Sequence, residues 1–159
     1  MIKVRIISVG NLKEKYLKDA QNEYLKRLSR FCKIEVLEIP EQNIPKNASQ
    51  ADIKNVLDKE ASAIKNAIIK NSFVISLCIE GVLKSSEDFA KEIENILVNN
   101  SALTFIIGSS YGLSNEIKSL SDLKLSVSKM TFPHQLMRII LLEQFYRAFK
   151  INYNENYHK

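Results

Sequence analysis

The sequence has few of the residues that build metal, disulfide or redox sites. It contains two cysteines and two histidines among 159 residues. Cys32 and Cys78 form no CxxC pair, and Cys78 lies in the apolar run FVISLCIEG, where a thiol acts as a small hydrophobic side chain. His134 and His158 lack the spacing of a metal-binding pair. We therefore expect no metal site, and the cysteine usage fits a reducing cytosol.

Long apolar runs are also absent. No run approaches the roughly 20 residues that a membrane-spanning helix needs. The first residues, MIKVRIISVG, are too short and too interrupted by charge to form the core of a signal peptide. The sequence therefore predicts a soluble, cytoplasmic protein that does not enter a membrane.

Several catalytic motifs are missing as well. The chain has no GxGxxG, GxxxxGK[ST], HExxH or GxSxG element. These absences argue against a Rossmann dinucleotide enzyme, a phosphate-loop NTPase, a zinc hydrolase and a serine hydrolase. A ligand of this protein would have to be bound mainly by backbone groups in loops.

Size and charge set broader limits. A chain of 159 residues is most simply one domain, 1–159, and 45% apolar residues suffice for a core. The net charge of +5 and the isoelectric point near 9.1 permit a polyanionic partner but do not require one.

Strand and helix periods alternate along the chain. Apolar alternation predicts strands over 2–9, 33–39 and 124–129, and continuous apolar runs predict strands over 72–80 and 102–107. Helical spacing predicts helices over 12–29, 50–70, 86–98 and 134–150, with a short helix after Ser114. Asn11 and Glu14 resemble a capping pair for the first helix. This order predicts an α/β fold: a mostly parallel sheet flanked by helices on both faces, with 73–79 and 102–107 at its centre.

The four glycines each follow a predicted strand. Gly10, Gly81, Gly108 and Gly112 could be ordinary turn residues. However, Gly108 and Gly112 bracket one loop, and Gly81 follows the preceding strand. In sheets of this kind, ligands bind beyond the carboxyl ends of the strands. The pattern therefore favours a ligand site at this edge.

The stretch SKMTFPHQLMR joins the last predicted strand to the last helix. Pro133 can begin a helix because its missing N–H group would have no helical partner there. His134 and Arg138 are four residues apart and share one helix face. The helix continues with apolar residues on nearly every side, which indicates either a helix buried within one domain or a subunit interface; we favour the interface.

The segments FIIGSSYGL, LSVSKMTFPHQLMRIILLEQFYRAFKI and the terminal NYHK resemble the RlmH family of SPOUT-class ribosomal RNA methyltransferases. The similarity extends to VGNLKEKY and VISLCIEG and so covers the whole chain. It implies an α/β fold whose C-terminal segment threads a trefoil knot, and a homodimer. It also implies S-adenosylmethionine as methyl donor and methylation at N3 of a pseudouridine in 23S ribosomal RNA of the large subunit, as part of rRNA processing.

The resemblance also implies a cofactor site. It would comprise residues at three predicted strand ends: Leu77, Gly108, Val127, Ser128, Lys129, Met130, Thr131 and Phe132. The family usually has two adjacent glycines where this chain has Gly108 and Ser109. A side chain at Ser109 would narrow the pocket or favour another loop conformation.

Methyl transfer from a sulfonium needs placement more than acid or metal catalysis. The N3 imide must lose its proton, and His134, just after the pocket segment, is the candidate base; simple packing or hydrogen bonding is the alternative. Arg138 would bind phosphate or steady the imide anion, or else form a structural salt bridge.

The polar ending NENYHK would ordinarily be disordered. The resemblance instead implies that Tyr157, His158 and Lys159 contact the substrate RNA, by stacking and by phosphate contacts. Two other functions remain open from the sequence: a non-enzymatic RNA- or ribosome-binding module, which Ser109 suggests, and a SPOUT methyltransferase that acts on tRNA.

Overall fold

A computed structural model describes all residues 1–159. Five strands alternate with five helices. In chain order they are β1 (Lys3–Val9), α1 (Lys15–Leu28), β2 (Lys33–Ile39), α2 (Gln50–Ala67), β3 (Phe73–Leu83), α3 (Ser86–Asn99), β4 (Ala102–Ile107), α4 (Asn115–Leu120), β5 (Leu123–Ser126) and α5 (His134–Asn152). The predicted alternation of strands and helices is confirmed.

The strands form one sheet in the order β2-β1-β4-β3-β5, and every neighbouring pair is parallel. β4 is the central strand, and all six of its residues are buried. β3 lies beside it, so the two continuous apolar runs occupy the interior, as predicted. Strands buried on both faces require apolar residues at successive positions, which explains the absence of alternation in these two.

Helices cover both faces of the sheet. A larger core packs α1, α3 and α5 against one face, and a smaller core packs α2 and α4 against the other. α5 lies between α1 and α3, and Leu136 is its one exposed large apolar residue. Burial within the subunit therefore accounts for most of the apolar residues of α5. The sequence had offered this explanation as the alternative to a subunit interface.

The start of α1 differs from the prediction. The helix begins at Lys15, and its N-cap residue, Glu14, makes no side-chain capping bond, so the predicted capping pair of Asn11 and Glu14 is wrong. The backbone N–H of Leu12 instead donates to the Glu38 carboxylate at 3.3 Å, and that of Lys13 donates to Gln135 at 3.0 Å. These tertiary contacts hold the preceding segment in a non-helical conformation.

β3 and β5 also differ from the prediction. β3 continues to Leu83, so Gly81 lies inside the strand rather than after it. Leu125 of β5 pairs with both Leu77 and Val82, and residues 78–81 therefore bulge. A Cβ at Gly81 would lie 2.6 Å from the carbonyl carbon of Leu125, so only glycine permits this approach.

β5 is shorter than predicted, because it ends at Ser126 rather than at 129. Residues 127–133 leave the sheet and run to the start of α5. No helix of the structure is both long enough and apolar enough to cross a membrane.

Candidate active site

A cavity of about 750 Å³ lies at the carboxyl edge of the sheet. This volume falls within the range of about 300–1,000 Å³ that is usual for small-molecule sites. Its walls come from the ends of β3, β4 and β5, the α4 region and the first turn of α5. They include Leu77, Cys78, Glu80, Gly108 to Leu113, Lys118, Leu125 to Ser128, Met130 to His134 and Met137.

The loop after β4 forms one wall. A Cβ at Gly108 would lie 2.3 Å from the carbonyl oxygen of Gly112, so the loop can close only on a glycine. Gly112 adopts φ +83°, a conformation that favours glycine, and donates its N–H to the Ser109 carbonyl at 2.9 Å. Tyr111 donates its N–H to the Ser109 hydroxyl at 3.3 Å. The loop is therefore a tight turn held largely by its own backbone.

The segment Val127 to Phe132 forms the facing wall. None of its backbone groups makes a hydrogen bond to another backbone group. Two make hydrogen bonds to side chains: the Met130 N–H donates to the Ser128 hydroxyl at 2.9 Å, and the Ser128 carbonyl accepts from the Ser126 hydroxyl at 3.2 Å. Backbone donors normally find partners, either in the protein or in water or ligand. This segment therefore offers a row of free donors and acceptors to a molecule in the cavity.

Two of the residues that line the cavity form an ion pair. Lys118 and Glu80 form this pair, and the hydrogen bond from Lys118 lowers the pKa of the Glu80 carboxyl. Cys78 is half-buried beside it, and desolvation, together with the negative charge of Glu80, raises the pKa of its thiol. The thiol is therefore protonated at neutral pH and is a poor nucleophile.

His134 lines the cavity from the first turn of α5. Its imidazole Nε2 lies over Gly10: a Cβ built on Gly10 would be 3.6 Å from it and 3.5 Å from Oε2 of Glu41. Gly10, at φ +91°, therefore leaves room for a histidine and a carboxylate side by side. No cluster of three or more metal-ligating side chains is present here or elsewhere in the structure.

Comparisons with known proteins agree with this geometry. The family model described as "Predicted SPOUT methyltransferase" matches residues 2–158. The chain belongs to the SPOUT methyltransferase family. Within it, the chain is a member of the RlmH group. It is 52% identical over 157 residues to "Ribosomal RNA large subunit methyltransferase H 1" of Clostridium perfringens strain SM101, covering 98% of this chain and 99% of the relative. It is 51% identical, with the same coverage, to "Ribosomal RNA large subunit methyltransferase H" of Bacillus thuringiensis strain Al Hakam.

A solved structure shares the fold of this chain. It is described as "a probable methylase family protein from Haemophilus influenzae Rd KW20" and aligns with a TM-score of 0.57 at 13% identity, covering 98% of this chain and 70% of the other. At this identity the likeness concerns the fold alone.

The structure brings together most of the cofactor residues that the SPOUT resemblance implies. Leu77, Gly108, Val127, Ser128, Met130, Thr131 and Phe132 all line the cavity. Lys129 is the exception, because its side chain is exposed and does not line it. That these residues contact a methyl donor remains a prediction.

Arg138 lies outside the cavity, which matches the second of the two roles that the sequence left open for it. It is fully buried and outside the cavity, with Nη1 2.8 Å from Glu38 and 3.2 Å from Gln21. Its Nη2 donates to the Ser8 hydroxyl at 3.0 Å and to the Gly10 carbonyl at 3.1 Å. With its guanidinium enclosed, Arg138 reaches no substrate in this arrangement. The structural salt bridge is the interpretation that the contacts support.

The C-terminal residues also lie away from this subunit's cavity. Tyr157 packs edge-to-face on Tyr146 at 5.1 Å, and its hydroxyl donates to Glu143 at 3.1 Å. Burial, with the Glu143 charge next, raises the pKa of Tyr157 to about 12. His158 lies 2.6 Å from Glu87, and Lys159 is exposed. The ending is therefore held against α3 and α5, contrary to the ordinary expectation of disorder.

Sequence reasoning missed a carboxylate behind the cavity loop. Glu60 of α2 is 2% exposed, accepts from the N–H of Gln42 at 3.2 Å, and leaves Oε1 without a partner. Burial raises the pKa of this carboxyl; Glu41 adds to the effect, while hydrogen bonding from the Gln42 backbone and the Ser109 hydroxyl opposes it. The signal was present, since Val56, Glu60 and Ile64 share one helix face at four-residue spacing.

Proposed function

We propose that this chain is a methyltransferase that uses S-adenosylmethionine to methylate N3 of a pseudouridine in 23S ribosomal RNA of the large subunit. The observation that carries the proposal is the cavity at three strand ends, in a chain about half identical to proteins named for ribosomal RNA methylation. The rRNA substrate follows from those names, and the nucleotide position follows from the family resemblance. The same reasoning assigns the protein to the cytoplasm, where ribosomes are found.

The cavity fits the cofactor in size and chemistry. It is half apolar in its lining residues, has free backbone donors and acceptors along Val127 to Phe132, and opens beside Gly112, where a Cβ would meet nothing within 4 Å. Aliphatic side chains such as Leu77 and Leu125 would pack against an adenine ring. When bound, the cofactor would supply a methyl group on a sulfonium, which is already electrophilic.

The chain's own residues would then place the nucleophile. The tight loop from Gly108 to Gly112 and the segment from Val127 would hold the donor in one orientation, and such positioning lowers the barrier by several kcal/mol. His134, which lines the cavity, would accept the N3 proton from a base that enters it. Arg138 would act indirectly, since it fixes the turn that carries His134.

A homodimer completes the proposal. Three large apolar side chains that line the cavity are exposed in the single subunit: Ile79 (74%), Met130 (76%) and Tyr111; Val82, Leu83 and Leu136, on β3 and α5, are exposed as well. Exposed apolar side chains of this size are typical of a subunit interface. Analytical ultracentrifugation would test it: a purely monomeric protein at micromolar concentration would contradict the dimer.

The function is tested by methyl transfer from labelled S-adenosylmethionine to purified ribosomes, isolated large subunits and bulk tRNA. We expect label in 23S rRNA, recovered as N3-methylpseudouridine by mass spectrometry of nucleosides. Label on tRNA alone would refute the substrate. Calorimetry that detected no S-adenosylmethionine binding to the intact protein would instead favour the non-enzymatic module.

A further inference from the structure

A second concave site lies at the opposite end of the sheet from the cavity. This basic groove has a volume of about 580 Å³ and is formed where β1 and β2 begin and α2 ends. Its lining residues are Lys3, Val4, Arg5, Lys33, Ile34, Glu35, Ile68, Ile69 and Lys70. Four cations and one carboxylate give the groove a net charge of +3, which is a large part of the +5 of the whole chain.

The arginine in the basic groove is already neutralised. Arg5 donates to Glu35 through Nε at 2.8 Å and Nη2 at 2.6 Å, and its Nη1 donates to the Ala67 carbonyl at 2.7 Å. This arrangement fixes the side chain and satisfies the one acid of the groove. No carboxylate lies within salt-bridge distance of Lys3, Lys33 or Lys70.

Two of these free lysines stand directly opposite each other. Lys3 of β1 and Lys33 of β2 are register partners, and neighbouring strands lie about 4.8 Å apart. Like charges in directly opposite positions destabilise a sheet. Lys70 adds a third positive charge beside the Lys3–Lys33 pair. An external anion would relieve the repulsion among these three ammonium groups.

The distribution of charge in the groove suits an extended polyanion better than a small anion. Its lysines are exposed point charges, with no buried donor to define a single phosphate cradle. Lysines of this kind contact nucleic-acid backbones through charge neutralisation. β1 spans seven residues, so the groove lies about 20 Å from the carboxyl edge, a distance equal to about six nucleotide steps at 3.4 Å each.

We propose that the basic groove binds the phosphate backbone of structured RNA at a place remote from the nucleotide that enters the cavity. This rests on the proposed RNA substrate. The groove would add charge contacts and orientation without reading sequence. It lies at the end of the sheet away from the exposed apolar residues assigned to the dimer, so both subunits would keep their grooves open to RNA.

The test compares the double variant Lys33→Gln/Lys70→Gln with wild type and with Lys59→Gln/Lys91→Gln. The control removes the same charge from exposed lysines on α2 and α3 that have no ion-pair partner. Binding is measured to a mixed-sequence 16-base-pair RNA duplex and to isolated large ribosomal subunits between 50 and 200 mM KCl. Urea unfolding and S-adenosylmethionine calorimetry verify that each variant folds and keeps its cavity.

Each phosphate contact contributes about 0.9 to the slope of log affinity against log salt. We expect the groove variant to lose about 1.8 from the slope on both RNA probes. The affinity lost between 50 and 200 mM would then be about tenfold smaller than for wild type. The control should keep the wild-type slope.

Equal slopes for wild type and the groove variant would overturn the proposal that the groove binds RNA. So would a control variant whose slope falls by as much as that of the groove variant. Methyl transfer is scored separately, with wild type alone. A wild-type protein that methylates no RNA would refute the proposed function, whereas the duplex slopes would still decide whether the groove binds RNA.

Discussion

Arg138 and Glu38 form an ion pair that ties the first turns of α5 to the end of β2. Nη1 of Arg138 lies 2.8 Å from Oε2 of Glu38; the arginine is fully buried and the glutamate side chain is 44% exposed. The same carboxylate accepts the N–H of Leu12. The pair therefore joins three segments that are distant in sequence, at the place where His134 reaches the cavity.

Replacing Arg138 by methionine should destabilise the fold by about 3 kcal/mol. Removing Arg138 leaves the buried Ser8 hydroxyl and Gly10 carbonyl without this donor, and it takes the charged partner away from the half-exposed Glu38. Urea unfolding measures the change. Arg27→Met is the matched control, because its pair with Glu23 is exposed and should be worth less than about 1 kcal/mol. Similar losses in both variants would contradict the structural role assigned to Arg138.

Replacing His134 by alanine should lower kcat for ribosomal RNA by at least about 100-fold and leave the affinity for S-adenosylmethionine unchanged. General-base catalysis typically contributes this much, and His134 lines the cavity outside the segment Val127 to Phe132 and the Gly108 loop that are assigned to the donor. Single-turnover kinetics and calorimetry separate the two quantities. Gln135→Ala, which changes a neighbour outside the cavity, should retain turnover within a few-fold. Unchanged turnover in His134→Ala would exclude it as the base.

Gly108 and Gly112 should respond differently to alanine. At Gly108 the new Cβ would lie 2.3 Å from a backbone oxygen, so the loop must open; we expect at least a tenfold loss of S-adenosylmethionine affinity. At Gly112 the space is free and only φ +83° is unfavourable, so the main effect should be a loss of about 1 kcal/mol in stability. Calorimetry and urea unfolding report the two effects. Wild-type affinity in Gly108→Ala would show that this wall does not bind the donor.

Glu60→Gln should make the protein more stable than wild type at pH 7. Burial raises the folded-state pKa of Glu60 above its ordinary value of 4.5. At pH values between the unfolded-state and folded-state pKa of Glu60, the native chain therefore binds more protons than the unfolded chain. The free energy of unfolding falls as the pH rises through this range. The advantage of glutamine should grow from pH 4 to pH 7, as measured by urea unfolding. Glu94→Gln, on the exposed face of α3, should change stability by less than about 0.5 kcal/mol at either pH. A pH-independent difference for Glu60→Gln would contradict the assignment.

Deleting residues 157–159 should lower kcat/KM on ribosomal substrate and leave the proposed dimer intact. The deletion removes Tyr157, whose ring packs on Tyr146 and lies under the Arg147 guanidinium at 4.7 Å, together with His158 and Lys159. Tyr157→Phe keeps the ring and loses only the hydrogen bond to Glu143, so it separates packing from RNA contact. Methyl transfer and sedimentation measure both properties. Full activity of the truncated protein would show that the ending does not contact RNA.

Periodicity and composition predicted the parts of this protein that depend on neighbours in sequence. The strands, the helices, the parallel sheet and the location of the site at strand ends all follow from apolar spacing and from the positions of Gly108 and Gly112. These features are readable because a buried strand or an amphipathic helix imposes its period on the residues that form it. The family resemblance added the expectation of a cofactor, of an rRNA substrate and of a knot, none of which spacing could have indicated.

Only the tertiary structure decided the contacts between residues that are far apart in sequence. It bonded Arg138 to Ser8 of β1 and to Glu38, outside the cavity. It also packed Gly81, inside a bulge, against the backbone of Leu125. It also brought Lys3 opposite Lys33. An arginine, a glycine or a lysine has the same local preferences whichever partner it meets. The choice among partners is made by strand order and packing, which a single sequence does not display.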